Sequence, residues 1–297
     1  MSSTNAPSAR DPSTGSARAP FRHPAFRSLW LAQFVSNTGG WMRTVGAQWL
    51  VTQTSQPAAL VALVQTAASL PVLLLGILAG ALADILDRRR LLLVAQGPLF
   101  AAAGLPAVLT AAGRINAYGV LAPTFLLGCG TALMTPARQA IQPELVPRDQ
   151  IPAAAGISGV NMNPARAVGP ALGGLVVALV GTAAVFALNA VSFLVTAAAL
   201  VTSRRSAEPD ALGAERMLPA LRAGNRYVRN APRVRRVLAR TLLFVPAGTA
   251  LWALLPVIAE RRFGLGAGGY GLLLGAVGVG AVLGAFLLPR GTQPLFK

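Results

Sequence analysis

Residues 60–90 read LVALVQTAASLPVLLLGILAGALADILDRRR, an uncharged apolar run that ends in two acids and three consecutive arginines. The uncharged part, 60–82, is long enough to cross a bilayer as one helix, because about 20 apolar residues span the hydrocarbon core. Seven further stretches of similar length also lack Asp and Glu, and the pattern therefore predicts an all-α integral membrane protein with about eight transmembrane helices. The seven lie at 29–51, 91–112, 118–136, 153–180, 182–202, 239–259 and 269–288.

The composition excludes several classes of protein. Apolar residues make up 54% of the 297 residues and charged residues 12%, and the mean hydropathy is +0.58. A single soluble core cannot hide this much apolar surface, because too few polar residues remain to coat it. Cys129 is the single cysteine and His23 the single histidine, which excludes an internal disulfide and a His-rich metal site. We expect no metal and no cofactor.

The excess of basic residues follows the predicted topology. The formal net charge is +17, from 26 basic and 9 acidic residues. With the amino terminus inside, about 20 basic residues fall in inner segments, whereas Arg114, Arg261 and Arg262 lie outside. Basic loops of membrane proteins stay on the cytoplasmic side. We therefore expect a multi-pass protein of the cell membrane, inner or plasma, with both termini cytoplasmic, the lipid bilayer as its surroundings and no nucleic-acid partner.

Polar segments divide the chain into five regions. Residues 1–28 form a disordered cytoplasmic tail, and residues 29–202 hold six spans. Residues 203–236 form a basic cytoplasmic loop, which fits a helix on the membrane surface and a solvated linker equally well. Residues 237–289 hold two more spans, and residues 290–297 form a second cytoplasmic tail.

An internal repeat relates the first six spans to the last two. Gly76-x-x-x-Gly80 ends the second span and Gly280-x-x-x-Gly284 ends the eighth, 204 residues later, and the same offset joins the first span to the seventh. This indicates a parallel duplication of a six-helix unit, as in many transporters. The second bundle then has only its first two helices, so we expect a truncated gene or a fragment. A homodimer is the alternative source of a second half.

The loop after the second span carries the most specific motif. It reads Gly80-Ala-Leu-Ala-Asp84-Ile-Leu-Asp87-Arg88-Arg89-Arg90 and resembles the signature loop of the major facilitator superfamily. The resemblance implies a major facilitator-like fold. It also implies a conformational latch, in which Gly80 allows close helix approach and the acids and arginines pair with helix ends of the other half. The residues alone also fit a charged turn that sets topology.

A second motif lies in the fifth span. Gly169-Pro170-Ala-Leu-Gly173-Gly174 offers a flat glycine face and a proline that removes one helix hydrogen bond, which predicts a tight packing seam. It resembles the antiporter signature of drug-exporting major facilitator proteins, although Ala165 stands where that signature usually has glycine. The resemblance favours export over import.

Two flanking stretches narrow the resemblance. Residues 136–148 and the run Asn161-Met-Asn163-Pro-Ala-Arg166 are similar to the enterobactin-exporter-like branch, also called transmembrane secretion effectors. That branch implies secondary-active export of a small molecule, such as a drug or siderophore, by alternating access. The competing hypothesis is a fragment without transport activity, or a membrane interaction module.

Polar residues inside the spans are the candidates for a substrate cavity. A buried arginine in lipid is costly and tends to face a cavity or a partner, so Arg166 and Arg43 either meet a polar or anionic substrate or make structural pairs. Drug antiporters often carry an arginine in the fourth span, where this chain has Thr124. No span holds a carboxylate, so protons remain only a candidate coupling ion. Seven further polar residues either line a cavity or bond across helices: Asn37, Asn161 and Asn163, together with Gln33, Gln48, Gln65 and Asn189.

One short motif in the fifth span suggests an enzyme instead of a transporter. Gly156-Ile157-Ser158-Gly159 resembles the nucleophile motif of rhomboid proteases, which need a histidine base from a later span. The single histidine precedes the first span, and no Walker motif occurs. The sequence therefore predicts that the protein is not an enzyme.

Overall fold

The computed structural model describes residues 18–53, 58–203 and 254–287, together with 230–233, 235–236 and 239–240. Every regular element in these residues is helical, which confirms the all-α class. A helical stretch at 254–261 precedes the last helix, and short 3-10 helices cover Ala19–Arg22 and Arg148–Gln150. The eight main helices are α1 (Pro24–Gln53), α2 (Ala58–Ile85), α3 (Arg88–Ala111), α4 (Ala117–Glu144), α5 (Ile151–Val160), α6 (Met162–Leu179), α7 (Thr182–Thr202) and α8 (Ala267–Leu287).

Hydropathy and length together mark several of these helices as membrane spans. Among the described residues, four stretches are long and apolar enough to cross a bilayer: Ala59–Gly76, Arg88–Ala111, Tyr118–Glu144 and Thr182–Thr202. The 30-residue α1 is longer than any of them, but its glutamines, asparagine and arginines lower its hydropathy. Most of the seventh predicted span, and nearly all of the basic loop, lie outside the described residues.

The fifth predicted span is two helices rather than one. α5 ends at Val160 and α6 begins at Met162, with Asn161 between them. Pro164 has no N–H and cannot bond the Val160 carbonyl, so the helix ladder is interrupted here. Because Pro164 falls in the first turn of α6, its missing donor costs little there. The hydrogen-bond ladder of the span is therefore interrupted at Asn161, although the Asn161 backbone itself stays helical, with φ −53° and ψ −39°.

The turns between helices use local chemistry that the sequence encodes. Asp87 caps α3, and its carboxylate accepts a hydrogen bond from the Arg90 backbone N–H at 2.7 Å. Asn116 caps α4 in the same way through Gly119, also at 2.7 Å. Gly181 has a φ of 104° between α6 and α7, a conformation that side chains disfavour. These three residues fix where α3, α4 and α7 begin and keep the connections short.

Packing joins the helices in a defined set of pairs. α1 packs against α6 and α7, α2 against α4, and α3 against α4 and α7. α8 packs mainly along α6 and also touches α1. One buried cluster, which includes Phe26, Leu92 and Met134, joins α1, α3 and α4. A second, which includes Trp49 and Tyr270, joins α1 to α8. The space left between α1, α2, α4 and α7 forms the cavity described next.

Candidate functional site

A cavity of about 230 Å³ lies among α1, α2, α4, α6 and α7. Its wall mixes small residues, which leave the space open, with polar groups and two arginines. None of the described residues that line it is acidic. The lining residues are Ser36, Asn37, Gly40, Trp41, Arg43, Thr44, Gln65, Ala68, Leu127, Gly128, Thr131, Arg138, Met162, Asn189 and Phe193.

Arg43 lies in this wall. The sequence left two interpretations open, and the one in which Arg43 meets a substrate requires this position. Its Nη1 donates a hydrogen bond to the Thr124 hydroxyl on α4 at 3.4 Å. Thr124 occupies the position where drug antiporters often carry an arginine, so here a guanidinium reaches that place from α1 instead. A 3.4 Å hydrogen bond is long and weak, and a guanidinium has five N–H donors. Within the described residues, the contact with Thr124 is the one hydrogen bond that Arg43 makes, so most of its donor groups are without a partner among them.

Arg138 is the cavity residue that the sequence reasoning missed. The sequence placed it among the bases of an inner loop, but the structure continues α4 to Glu144, which puts Arg138 within the helix. Its Nε is buried without a hydrogen-bond partner among the described residues, and its Nη2 lies 3.8 Å from the Met134 sulfur. The signal was available, because Leu127, Thr131 and Arg138 recur at intervals of one and two helical turns and so share a face of α4.

Asn189 adds an unsatisfied donor to the same cavity. The residue is 2% exposed, and in the part of the chain that the structure describes its side-chain Nδ2 has no hydrogen-bond partner. A buried amide without a partner costs free energy, so a ligand that offers an oxygen here would recover it.

Asn37 and Asn161 form a structural network. The Asn37 amide donates to Asn161 Oδ1 at 2.9 Å, and Asn161 Nδ2 donates to the Trp30 carbonyl at 3.0 Å. Gln33 in turn donates to Asn37 Oδ1 at 3.0 Å. These contacts join α1 to the break between α5 and α6. They agree with the interpretation in which the two asparagines form hydrogen bonds across helices. Asn163 is exposed and does not line the cavity.

Arg166 does not line the cavity. Its guanidinium lies over the Trp41 ring, 5.3 Å from the ring centroid, in the geometry of a cation–π interaction. Trp41 itself lines the cavity. Arg166 therefore supports the wall from behind, which is closer to the structural interpretation than to the substrate-binding one.

The glycines of the fifth span form a packing seam, as predicted. A Cβ added to Gly169 would lie 2.6 Å from the Trp41 Cβ, and one added to Gly173 would lie 2.8 Å from the Met42 Cα, both on α1. A Cβ added to Gly174 would lie 2.6 Å from the Ala267 carbonyl oxygen of α8. Real side chains do not approach backbone this closely, so the motif seats α6 between α1 and α8.

Two aromatic residues close the same region. The Tyr270 hydroxyl of α8 donates a hydrogen bond to Gln48 Oε1 of α1. The Trp49 and Tyr270 rings stack with centroids 6.5 Å apart and planes 18° apart. Both Gln48 and Tyr270 are fully buried. We call the contact of α8 with α1 and α6, through residues 41–49, 167–178 and 267–278, the α8 seam.

The charged loop is anchored to helices that precede α8. Arg88 pairs with Glu144 at the end of α4, and Arg89 donates to the Leu200 and Val201 carbonyls at the end of α7, at 2.9 Å each. Positive charge at a helix carboxyl end is favourable. The sequence reasoning missed Glu144 as the partner. Within the described residues, these two arginines contact their own bundle, whereas the resemblance implied contacts with the other half.

Two parts of the latch motif differ from expectation or stay untested. No described atom lies within 4 Å of a Cβ built on Gly80, so the close helix approach expected there is not seen. The side chain of Asp84 lies outside the described part of the chain. Arg90 is exposed, and Asp87 is occupied as the cap of α3.

The protease-like motif lacks its base. His23 Nε2 lies 3.1 Å from Gln150 Oε1, and the buried Ser158 Oγ finds no hydrogen-bond partner within the described ranges. The contact that nucleophilic catalysis requires is therefore not formed between these two residues.

Comparison with known proteins identifies the family. The model of the transmembrane secretion effector family matches residues 15–295. The chain belongs to this family. Its fold is that of major facilitator proteins: a bacterial homologue of the lysosomal transporter Spinster superposes with a TM-score of 0.72 at 16% identity, over 92% of this chain and 62% of that one.

Curated relatives are transporters and efflux proteins. The staphyloferrin A transporter of Staphylococcus aureus is 25% identical over 260 residues, 87% of this chain and 65% of its own length. The enterobactin exporter EntS of Escherichia coli is 29% identical over 273 residues, 89% and 62%. The multidrug efflux pump Tap of Mycobacterium tuberculosis is 32% identical over 179 residues, 58% and 42%. The chain thus spans about two thirds of the length of these relatives or less.

Proposed function

We propose that the protein is a secondary-active exporter of a small molecule that works by alternating access in the cell membrane. The observation that carries the proposal is the cavity among α1, α2, α4 and α7, where Arg43 and Arg138 line a space with no acidic residue among its described walls. Charged groups at membrane depth are costly and mark substrate pathways. Their presence in a chain of a transporter family supports a binding site for transported molecules.

The direction of transport rests on the fifth span and on the relatives. The glycine seam of α6 has the pattern of the export signature. Atoms of α1 and α8 pack closely against its glycines. Two relatives are named as an enterobactin exporter and a multidrug efflux pump. Both support export of a drug-like or siderophore-like molecule.

The α8 seam supports an alternating-access cycle. With the amino terminus inside, α1 runs outward, so Trp49 and Tyr270 lie toward the outer surface and the Arg88–Glu144 pair lies toward the cytoplasm. The structure has the outer contacts formed. In the proposed cycle, this state takes substrate from the cytoplasm, and opening the α8 seam releases it outside.

Efflux from cells that lack their own exporters tests the proposal. We would express the 297-residue chain, and a fusion that adds the unmatched carboxyl-terminal part of the Staphylococcus aureus relative, and follow loss of a drug dye and of iron-free siderophores. We expect the fusion to export at least one of them, because two bundles rock around a central site in this class of transporter. The chain alone is expected to insert without transport.

Asp84→Asn provides the internal control for the latch. It keeps size and removes one charge, so the fusion should insert normally but export more slowly. If export is unaffected by Asp84→Asn, the hypothesis that this loop acts as a conformational latch is wrong. Efflux no greater than empty vector for both forms, at membrane levels equal to those of the active relative, would favour a membrane interaction module over an exporter.

A further inference from the structure

We infer that the cavity binds an elongated dianion, with an oxygen-rich middle and an anionic group at each end. The inference rests on the proposed function in so far as the cavity is the site of the transported molecule, and it adds the chemical class of that molecule. Three observations carry it: the charge of the wall, the placement of its two arginines, and an unsatisfied donor between them.

The charge of the wall selects for an anion. Arg43 and Arg138 both line the cavity, and no described lining residue carries a negative charge. Within the described residues, Arg138 Nε has no hydrogen-bond partner, and Arg43 holds only the 3.4 Å contact with Thr124. Two uncompensated cations inside membrane-spanning helices are costly. A ligand that brings two anionic groups offsets that cost, whereas a cationic ligand adds to it.

The two arginines lie at different depths. Thr124, which holds Arg43, and Arg138 are 14 residues apart on α4, which corresponds to about 21 Å along the helix axis. The Arg138 side chain runs back toward Met134, which shortens this separation by roughly one turn, about 5 Å. A compact anion therefore reaches only one of the two guanidinium groups. A long molecule with an anionic group at each end reaches both.

Asn189 supplies a contact between the ends. It lines the same cavity on α7, opposite Gly39 of α1, with its Oδ1 3.3 Å from a Cβ built on that glycine. Its Nδ2 is buried, and none of the described residues accepts a hydrogen bond from it. The missing partner is an acceptor, so a carbonyl, ether or hydroxyl oxygen in the middle of the ligand satisfies it. Leu127 and Phe193 complete an apolar wall here, which excludes a third charge.

Binding can be tested without transport. We would place the full chain in nanodiscs and titrate a tetra(ethylene glycol) dicarboxylic acid by calorimetry, with empty nanodiscs as the blank. This probe has a carboxylate at each end and ether oxygens between. Its dimethyl ester has the same length without charge, and its monoacid has one charge. We expect the diacid to bind about tenfold or more tightly than either, because each missing carboxylate removes a charge-assisted hydrogen bond to an arginine.

Matched variants locate the site. Arg43→Gln and Arg138→Gln should each weaken diacid binding about tenfold, and Arg43→Lys should retain most of it. Arg114→Gln removes the same charge from the exposed turn between α3 and α4 and should change nothing. Equal binding of diacid and dimethyl ester by the unmodified chain would overturn the inference, whether or not any variant folds. So would an equal loss in Arg114→Gln and Arg43→Gln, since that indicates general surface charge.

The outcomes also separate this inference from the proposed function. Diacid binding without any efflux in the cell assay leaves the anion site standing and contradicts the exporter. Efflux of an uncharged or cationic compound at unchanged rate in Arg43→Gln and Arg138→Gln supports the exporter and contradicts the anion site.

Discussion

Arginine side chains in this protein have distinct roles that their local sequence does not separate. Arg88 and Arg89 bind the ends of α4 and α7, Arg166 covers Trp41, and Arg43 and Arg138 line the cavity. The cost of burying a cation predicts that each needs a partner, but not which one. The choice depends on how each helix is rotated about its axis, and that is set by neighbouring helices far away in sequence.

The Arg88–Glu144 pair gives a prediction at this scale. Both side chains are partly exposed, 33% and 26%, so solvent screens the pair and its coupling should be about 0–1 kcal/mol. Arg88→Gln, Glu144→Gln and the double variant, measured by thermal unfolding in detergent, give that coupling directly. We expect each single variant to lower the melting temperature slightly, with little further loss in the double variant. Strictly additive losses would show that the ion pair contributes nothing.

At the scale of the helix, the sequence predicts that a helix is present better than it predicts where that helix ends or breaks. The stretches predicted at 60–82, 91–112 and 182–202 correspond to α2, α3 and α7, because length and hydropathy are local properties. The extension of α4 to Glu144 and the break at Asn161 were not predicted. The span predicted at 118–136 ends too early, because α4 continues through Pro136 and Pro143. Pro164 does coincide with a break, because it cannot bond the Val160 carbonyl, and Asn161 at the break finds partners on α1.

Glycines in different helices should respond in opposite ways to alanine. In Gly174→Ala the new methyl group would meet α8 backbone, 2.6 Å from the Ala267 carbonyl oxygen and 2.8 Å from the Gly271 Cα. Overpacking of this kind costs about 1–3 kcal/mol. Gly156→Ala in α5 meets no atom within 4 Å and should gain roughly 0.5–1 kcal/mol from lower backbone entropy.

Thermal unfolding of the two purified variants checks the glycine prediction. A lower melting temperature for Gly174→Ala and a slightly higher one for Gly156→Ala are expected. If both variants behave alike, the close contact between α6 and α8 is not present in the membrane.

At the scale of the whole molecule, topology follows from charge. A reporter that is active only outside the cytoplasm should be silent when fused after Lys297 and active when inserted after Gly113, in the turn between α3 and α4. Basic residues retained on the cytoplasmic side give this result. Activity at Lys297 would mean that one span has been miscounted.

The arrangement of the helices was only partly predictable. The superfamily motif implied the fold, and the composition implied the membrane. The contact between Gln48 and Tyr270 joins residues 222 positions apart, and neither residue belongs to a recognisable motif. Such contacts depend on the way in which α8 meets α1, which no local pattern encodes. The cavity arginines are a further example, because the place of Arg138 in the wall depends on how α2 and α4 pack together.

The α8 seam makes the final prediction, because alternating access requires it to open. A Cβ built on Gly268 lies 3.8 Å from the Ala178 Cβ, which is the usual Cβ separation of a disulfide. Ala178→Cys with Gly268→Cys, in a Cys129→Ala background, should therefore form a bond that holds α6 to α8. We expect oxidation to stop export by the fusion form and a reductant to restore it.

A second pair of cysteines provides the matched control for that bond. Gly104→Cys with Ala190→Cys, 4.0 Å apart by the same construction, joins α3 to α7 inside one bundle. Rocking of one bundle against the other leaves this contact unchanged, so its oxidation should not slow export. Thiol labelling confirms that each bond has formed. Full export with the Ala178–Gly268 bond closed would show that α6 and α8 move together, and the opening of the protein would then have to lie elsewhere.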